Sequence, residues 1–98
     1  MRNRDISIES IKSVRAIEFK YMSGKIKVTD TYERPNGKKD MIYLKFDSEF
    51  FYMQDQAFQF LIDNKFDVVS RCHQNDNTLL LMVNNWGEDF KSIKDCKR

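Results

Sequence analysis

The stretch Asp47–Phe66, DSEFFYMQDQAFQFLIDNKF, decides how the rest of the chain must be arranged. At about 100° per residue, Phe50, Met53, Ala57, Phe58, Leu61 and Ile62 share one broad arc, with Phe51 and Phe60 at its edges. Asp55, Gln56, Gln59 and Asp63 take the opposite side, so the spacing predicts an amphipathic helix over 47–66. Asp47 or Ser48 can cap its first turn, Glu49 suits the positive end of its dipole, and Asn64 marks its stop. Gln54 falls near the middle of the apolar arc. A buried amide needs a hydrogen-bond partner, so Gln54 is expected to bond a sheet edge or loop carbonyl, with a ligand contact as the other reading. A helix with so wide an apolar face must lie across a sheet or another helix, and the flanking sequence offers a sheet.

Upstream of it, Ile17, Phe19 and Tyr21 alternate with Glu18 and Lys20, the pattern of a half-buried strand. Ser23-Gly24 supplies a two-residue turn, and Ile26, Val28 and Tyr32 alternate with Lys27, Thr29 and Thr31 on the way back. Arg34-Pro35-Asn36-Gly37-Lys38 suits a three-residue loop, with Pro first in a type I turn and Gly in the left-handed position. That loop sets Val28 opposite Leu44, Ile26 opposite Phe46 and Glu33 opposite Lys39. A two-residue Asn-Gly loop would bring Val28 against Lys45, and a one-residue slip turns every side chain over. The apolar match favours the longer loop. Residues 1–13 read either as a strand, through Ile6 and Ile8, or as one helical turn.

Downstream, Asp67–Cys72, a polar loop over Gln74-Asn75-Asp76-Asn77, and Thr78–Val83 read as a second hairpin. Leu79-Leu80-Leu81-Met82-Val83 is apolar on both faces, as in a central strand or one covered on both sides. Trp86, Phe90 and Ile93 are spaced for a short amphipathic C-terminal helix, with Glu88 and Asp89 in its first turn. The expected fold is therefore one α+β domain over 1–98: a three-stranded antiparallel meander, one central helix packed on the sheet, a second β-hairpin and a short C-terminal helix (βββαββα). Phe50, Phe58, Leu61 and Ile62 are expected to pack on Ile17, Phe19, Val28 and Leu44.

The bulk numbers narrow function by exclusion. Ninety-eight residues hold one core, and 41% hydrophobic with 33% charged residues suits a globular chain rather than a disordered one. A net charge of +2 imposes no global field that would demand a nucleic-acid or membrane partner. The start MRNRDISIES lacks a signal-peptide core and no apolar run is long enough to span a bilayer, so no membrane association is expected. Cys72 and Cys96 lack metal-type spacing and read as reduced thiols of a cytoplasmic protein. Phe, Tyr, Met, Ile, Asn and Lys abound while Gly, Ala and Pro are scarce. That bias matches the AT-rich coding of a bacteriophage, a mobile element or a low-GC bacterium.

No catalytic residue, metal site or cofactor is expected. His73, the sole histidine, adjoins Cys72 on a strand, where neighbours face opposite sides and do not form a nucleophile–base pair. Serine-nucleophile, phosphate-loop and paired-histidine motifs are missing from the sequence. The acidic residues are scattered, and a small hydrolase using carboxylates stays as the least supported class.

Two features suggest binding instead. The expected register lines up Lys20, Lys27 and Lys45 across the outer face of the meander, flanked by Lys25 and Tyr43. Directly opposed like charges repel, so the row is a solvated face that resists sheet-to-sheet sticking, a grip for phosphates with an aromatic to stack a base, or a patch for an acidic protein. The second feature is surplus apolar surface. With Cys72, Leu79, Leu81 and Val83 toward the helix, Val69, Leu80 and Met82 face away and need cover from the Trp86 helix or from another chain, a homodimer included. Trp86 is the natural anchor in either case. The leading reading is a small non-enzymatic binding protein, an inhibitor or regulator that modulates a protein target by surface contact. The alternative is a nucleic-acid-binding regulator that uses the basic sheet face.

Overall fold

Strand β1 (Val14–Met22) is the axis of the fold, pairing with β2 (Lys25–Glu33) along one side and with β5 (Thr78–Asn84) along the other. The computed structural model describes residues 13–75, 77–85 and 92–98. Adding β3 (Lys39–Lys45) and β4 (Val68–Asn75) gives a five-stranded antiparallel sheet in the order β3-β2-β1-β5-β4. Helix α1 (Met53–Asp63) links β3 to β4 and lies on one face, so the chain is α+β. The meander and the second hairpin are thus not separate layers. Antiparallel pairing of β1 with β5, from Val14–Asn84 to Lys20–Thr78, fuses them.

The turns follow their residues. Ser23 and Gly24 both take positive φ, 49° and 84°, as a two-residue turn matched to strand twist requires. At the next turn Gly37 has φ 80°, its amide donates to the Arg34 carbonyl, and the Arg34 amide donates to the Lys38 carbonyl. This is the expected three-residue loop, and Glu33 sits across from Lys39. Further from the turn the register changes by two. Thr29 pairs with Met41 and Glu33 with Lys39, leaving Asp30, Thr31 and Tyr32 against Asp40 alone. Val28 therefore faces Ile42, not Leu44, and Ile26 faces Leu44, not Phe46. An even shift keeps every side chain on its expected face, which is why the apolar pairing survives.

Helix α1 is shorter than the periodicity suggests. It begins after Tyr52, which makes no side-chain cap, while Asp47 instead closes a local turn by accepting from the Glu49 amide at 3.0 Å. At the other end Asn64 is the C-cap, but with φ −98°; the left-handed residue is Lys65, at φ 67°. The Lys65 amide bonds the Ile62 carbonyl and the Phe66 amide the Leu61 carbonyl, and Phe66 buries itself in the core beside the helix.

The helix is also rotated about its axis, by about 60° relative to the arc drawn from sequence. Ala57, Phe60 and Leu61 are buried and Met53 packs beside them, whereas Phe58 and Ile62 are 50% and 43% exposed. Phe60 meets Phe19 edge to face at 6.4 Å. Two amides on that side hold the rotation. Gln56 donates to the Lys45 carbonyl and accepts from the Asp47 amide, both at 2.9 Å. Asn64 accepts from the Lys97 amide and donates to the Lys97 carbonyl, at 2.8 and 3.0 Å. Backbone carbonyls and amides that end β3 and the chain terminus thus select Phe60 over Phe58, a choice the periodicity leaves open.

The second hairpin is tighter than expected. Asn75 pairs with Thr78, so pairing reaches into the polar loop expected over 74–77. β4 carries one extra residue between Val68 and Ser70 and another between His73 and Asn75. The first bulge changes which residues face the helix: Arg71 pairs with buried Leu81, and Cys72 pairs with Leu80 on the outer face, not on the helix side as alternation from Asp67 implied. Bulges on an edge strand also spoil it as a template for another strand. The chain end forms a three-residue 3-10 turn, Ile93–Asp95, on β3, with Ile93 fully buried in the same core as α1. The rest of the expected C-terminal helix, Trp86 and Phe90 included, lies outside the described residues, as does the expected element within residues 1–12.

Candidate binding surfaces

The face of the sheet away from α1 carries the basic residues singled out above, in a changed arrangement. Lys20 faces Lys27 as expected. Across the next pair of strands, however, Lys27 faces Tyr43 and Lys25 faces Lys45. The two-residue register change puts an aromatic where a third lysine was expected. Tyr43, 48% exposed, ends the row Lys20–Lys27–Tyr43 on the edge strand, and Lys25 and Lys45 are paired in the next row. At its hairpin end Tyr43 borders a concavity of about 490 Å³ lined by Ser23, Gly24, Lys25, Leu44 and Lys45. Gly24 leaves this mouth open, since a Cβ built there would have no atom within 4 Å. Met22 and Met41 are exposed on the same side of their strands.

The expected apolar surface is divided differently. Leu80 and Met82 occupy the outer face and are half-buried, flanked by Ala16 and Glu18 of β1 and by Ser70 and Cys72 of β4. Val69, expected beside them, is the extra residue of the first bulge. It lines a cleft of about 310 Å³ on the helix side with Gln54, Asp55, Phe58, Arg71, Leu79 and Leu81. Gln54 therefore sits at a cleft wall, half-buried, rather than in the core. Trp86 lies outside the described residues.

Other apolar residues are exposed on and just before α1. Phe58 and Ile62, expected in the core, are exposed one helical turn apart, and Phe51, expected at the edge of the arc, is 85% exposed and stacks edge to face on Tyr52 at 5.1 Å. Asp55, Gln59 and Asp63 form the adjoining row. From Asp47 to Asn64 the chain holds four carboxylates, Asp47, Glu49, Asp55 and Asp63, and no lysine or arginine. Four lysines crowd the outer sheet face, whereas the carboxylates of the 47–64 segment are interspersed with Lys65, Arg71, Lys97 and Arg98 on the helix side.

A buried ionic cluster, unread from sequence, closes the far end of the covered face. Asp30 is fully buried and paired with Arg15, itself only 5% exposed, and Asp30 also accepts from the Tyr32 amide at 3.0 Å. Arg34 bonds Asp40 at 2.9 Å, and Ser92 donates to the same carboxylate at 2.6 Å. Arg15 lies over the Phe66 ring at 5.8 Å and Arg34 over Tyr32 at 5.6 Å. Burial pushes the Asp30 carboxyl above the ordinary aspartate range, against its amide and arginine partners. The Ser92 hydroxyl and Arg34 hold Asp40 below that range. The signal was present in the alternation. Arg15 extends the series 17, 19, 21, and Asp30 falls between Val28 and Tyr32, so both were bound to enter the core. These carboxylates are occupied in pairing β2 to β1 and tying the chain end to β3, a structural task.

The remaining chemistry-bearing residues do not converge. The register sets Cys72 across from Leu80 and His73 across from Leu79, while Cys96 packs against the core on the covered side; neither cysteine is in a disulfide. Among the described residues no group of His, Cys, Asp and Glu is placed to hold a metal ion, and no helix is long and apolar enough to cross a membrane. Compared with protein-family models, with curated proteins and with solved structures, the chain matches none.

Proposed function

We propose that this is a non-enzymatic binding protein that modulates a target protein by surface contact, and that its contact surface is built from the exposed apolar residues Phe51 and Tyr52 before α1, Phe58 and Ile62 on it, and Val69. The observation that carries this reading is the exposure of three aromatic residues at and just before α1: Phe51 at 85%, Tyr52 at 56% and Phe58 at 50%. Leaving such rings in water forgoes the stabilisation their burial would bring, and contiguous exposed apolar surface characteristically marks a partner site. Phe58 borders a cleft that can receive a partner's side chain, and aromatic anchors dominate the energetics of such contacts. An inhibitor or regulator of the kind encoded by phages or mobile elements fits the size and composition, and a cytoplasmic location fits two cysteines outside any disulfide.

The test is capture from an extract of the native host with the tagged full-length chain, with nuclease present and at high salt. A partner retained by the wild type and lost by Phe51→Ala with Phe58→Ala supports the reading. Retention by the double variant, or loss of the partner on nuclease treatment, sinks it. Light scattering of the purified protein identifies the case in which the partner is a second copy of the chain.

A further inference from the structure

The opposite face of the molecule presents a different chemistry, and it goes beyond the protein contact proposed for α1. We propose that the outer sheet face is a single-stranded nucleic-acid site, in which Tyr43 stacks an unpaired base and Lys25, Lys27, Lys45 and Lys20 hold the flanking phosphates.

Three observations meet there. Tyr43 stands on an open pleated surface with its ring about half exposed, across from Lys27 and beside the Lys25–Lys45 pair. Residues directly opposite on neighbouring strands have Cβ atoms about 4.5–5.5 Å apart, so Lys27, with Lys25 and Lys45 in the next row, lies within side-chain reach of the ring on its inner side, and Lys20 continues the row one strand further. Next, the ring borders a concavity whose other walls are Ser23, Gly24 and the two lysines, and the bare Gly24 keeps its mouth clear. A base stacked on Tyr43 would lie over a recess rather than against a neighbouring side chain. Last, the sheet face is the more uniformly basic one. Glu18, half-buried, is its nearby acid, while the four carboxylates of the 47–64 segment lie on and around α1 mixed with Lys65, Arg71, Lys97 and Arg98. A polyanion is therefore drawn to the sheet more than to the helix.

Holding like charges opposite one another costs stability, and a bound phosphate backbone removes that cost by neutralising them. An unpaired strand fits better than a duplex. Its base faces are available to an aromatic platform, whereas a duplex offers phosphates but no face for Tyr43. The lysines read no sequence, so binding should be tolerant of it.

The experiment is anisotropy titration of the full-length protein against a labelled single-stranded oligonucleotide of about 12 residues, with a duplex of the same sequence beside it. The titration is repeated between about 50 and 200 mM salt. Saturable binding to the single strand is expected, weakening steeply with salt and weaker still for the duplex. Tyr43→Ala should cost about 5–150-fold, the range of one lost base stack, and Tyr43→Phe should restore binding. Lys25→Gln with Lys27→Gln should reduce the log–log salt slope by roughly 0.7 for each phosphate contact removed, whereas Lys65→Gln, on the far side, should leave it unchanged. Unaltered thermal melting confirms that these substitutions leave the fold intact. Failure to saturate at low salt overturns the proposal, as does equal affinity for duplex or full binding by Tyr43→Ala. Equal competition by polyglutamate would also overturn it, assigning the face to an acidic protein. None of these results bears on capture through Phe51 and Phe58, which tests the other face separately.

Discussion

The two faces of the sheet are built from the same strands and differ in what they leave unpaid. The covered face holds Ile17, Phe19, Ile26, Val28, Leu79, Leu81 and Val83 at or near zero exposure, and closes its far end with the buried Arg15–Asp30 pair. The outer face repeats the alternation with Lys20, Lys27, Tyr43, Leu80 and Met82, and no described element packs on it. Even charge is treated in opposite ways. On the covered side it is buried, paired and hydrogen-bonded; on the outer side like charges are placed face to face in water. Only the first arrangement is needed for folding. The second imposes a small cost in stability, and a solvated row of lysines also resists sheet-to-sheet sticking.

The contrast can be broken by substitution, beginning with the largest effect. Asp30→Ala strips Arg15 of its counter-charge in the core and should cost about 3–5 kcal/mol in urea unfolding. A loss under about 1 kcal/mol would show that the pair is hydrated and the covered face is not sealed. Phe60→Ala should cost about 3 kcal/mol or more, because its ring is 7% exposed and packs on Phe19. Phe58→Ala, two residues away, should cost under about 1 kcal/mol. Reversal of that order would restore the helix rotation expected from periodicity alone.

Asp40→Asn comes next, and its signature is pH dependence. The folded-state pKa of Asp40 lies below its ordinary value of 3.8, so its contribution is full above that value and lost as pH falls through the lower one. The variant should be less stable than the wild type by about 1.5–3 kcal/mol at neutral pH, the cost of hydrogen bonds to a charged group. The gap should close in acid below pH 3.8. Asp30 works in the opposite sense: its raised pKa makes its ionisation a cost to the native state as pH rises through that raised value. A gap that stays constant with pH would mean that Asp40 acts through shape rather than charge. Smallest of all is Lys27→Gln, which relieves opposition to Lys20 and should hold stability level or raise it by a few tenths of a kcal/mol. A clear loss would reveal that the lysine stem packs on the sheet.

How much was legible depended on the range of the interaction. Strands β1 and β2, the Ser23-Gly24 turn and the left-handed Gly37 follow from alternation and turn chemistry, which are local. The facing of the meander survived a two-residue register error because side-chain direction has a period of two, and that same error hid Tyr43 across from Lys27, where Lys45 was expected. Cys72 and Val69 were misplaced because one bulge residue shifts the phase of everything beyond it, and a bulge has no signal in an apolar–polar pattern. The buried Asp30 and Arg15 were legible in principle, since strict alternation carries both inward, but a pattern read for its apolar residues passes over the charged ones.

The sequence by itself determined the class and the order of elements, because hydrophobic periodicity and turn residues act within a few positions of one another. It also determined that the helix carries a broad apolar arc, all of it expected in the core. Only the tertiary structure decided which part of that arc is buried. With Phe50, Phe58, Phe60 and Ile62 all able to face inward, the helix was turned by Gln56 bonding the end of β3 and by Asn64 bonding Lys97. Those partners lie 11 and 33 residues away in sequence. Contacts over such distances exist only once the sheet has formed, and they sent Phe60 into the core and left Phe58 on the surface.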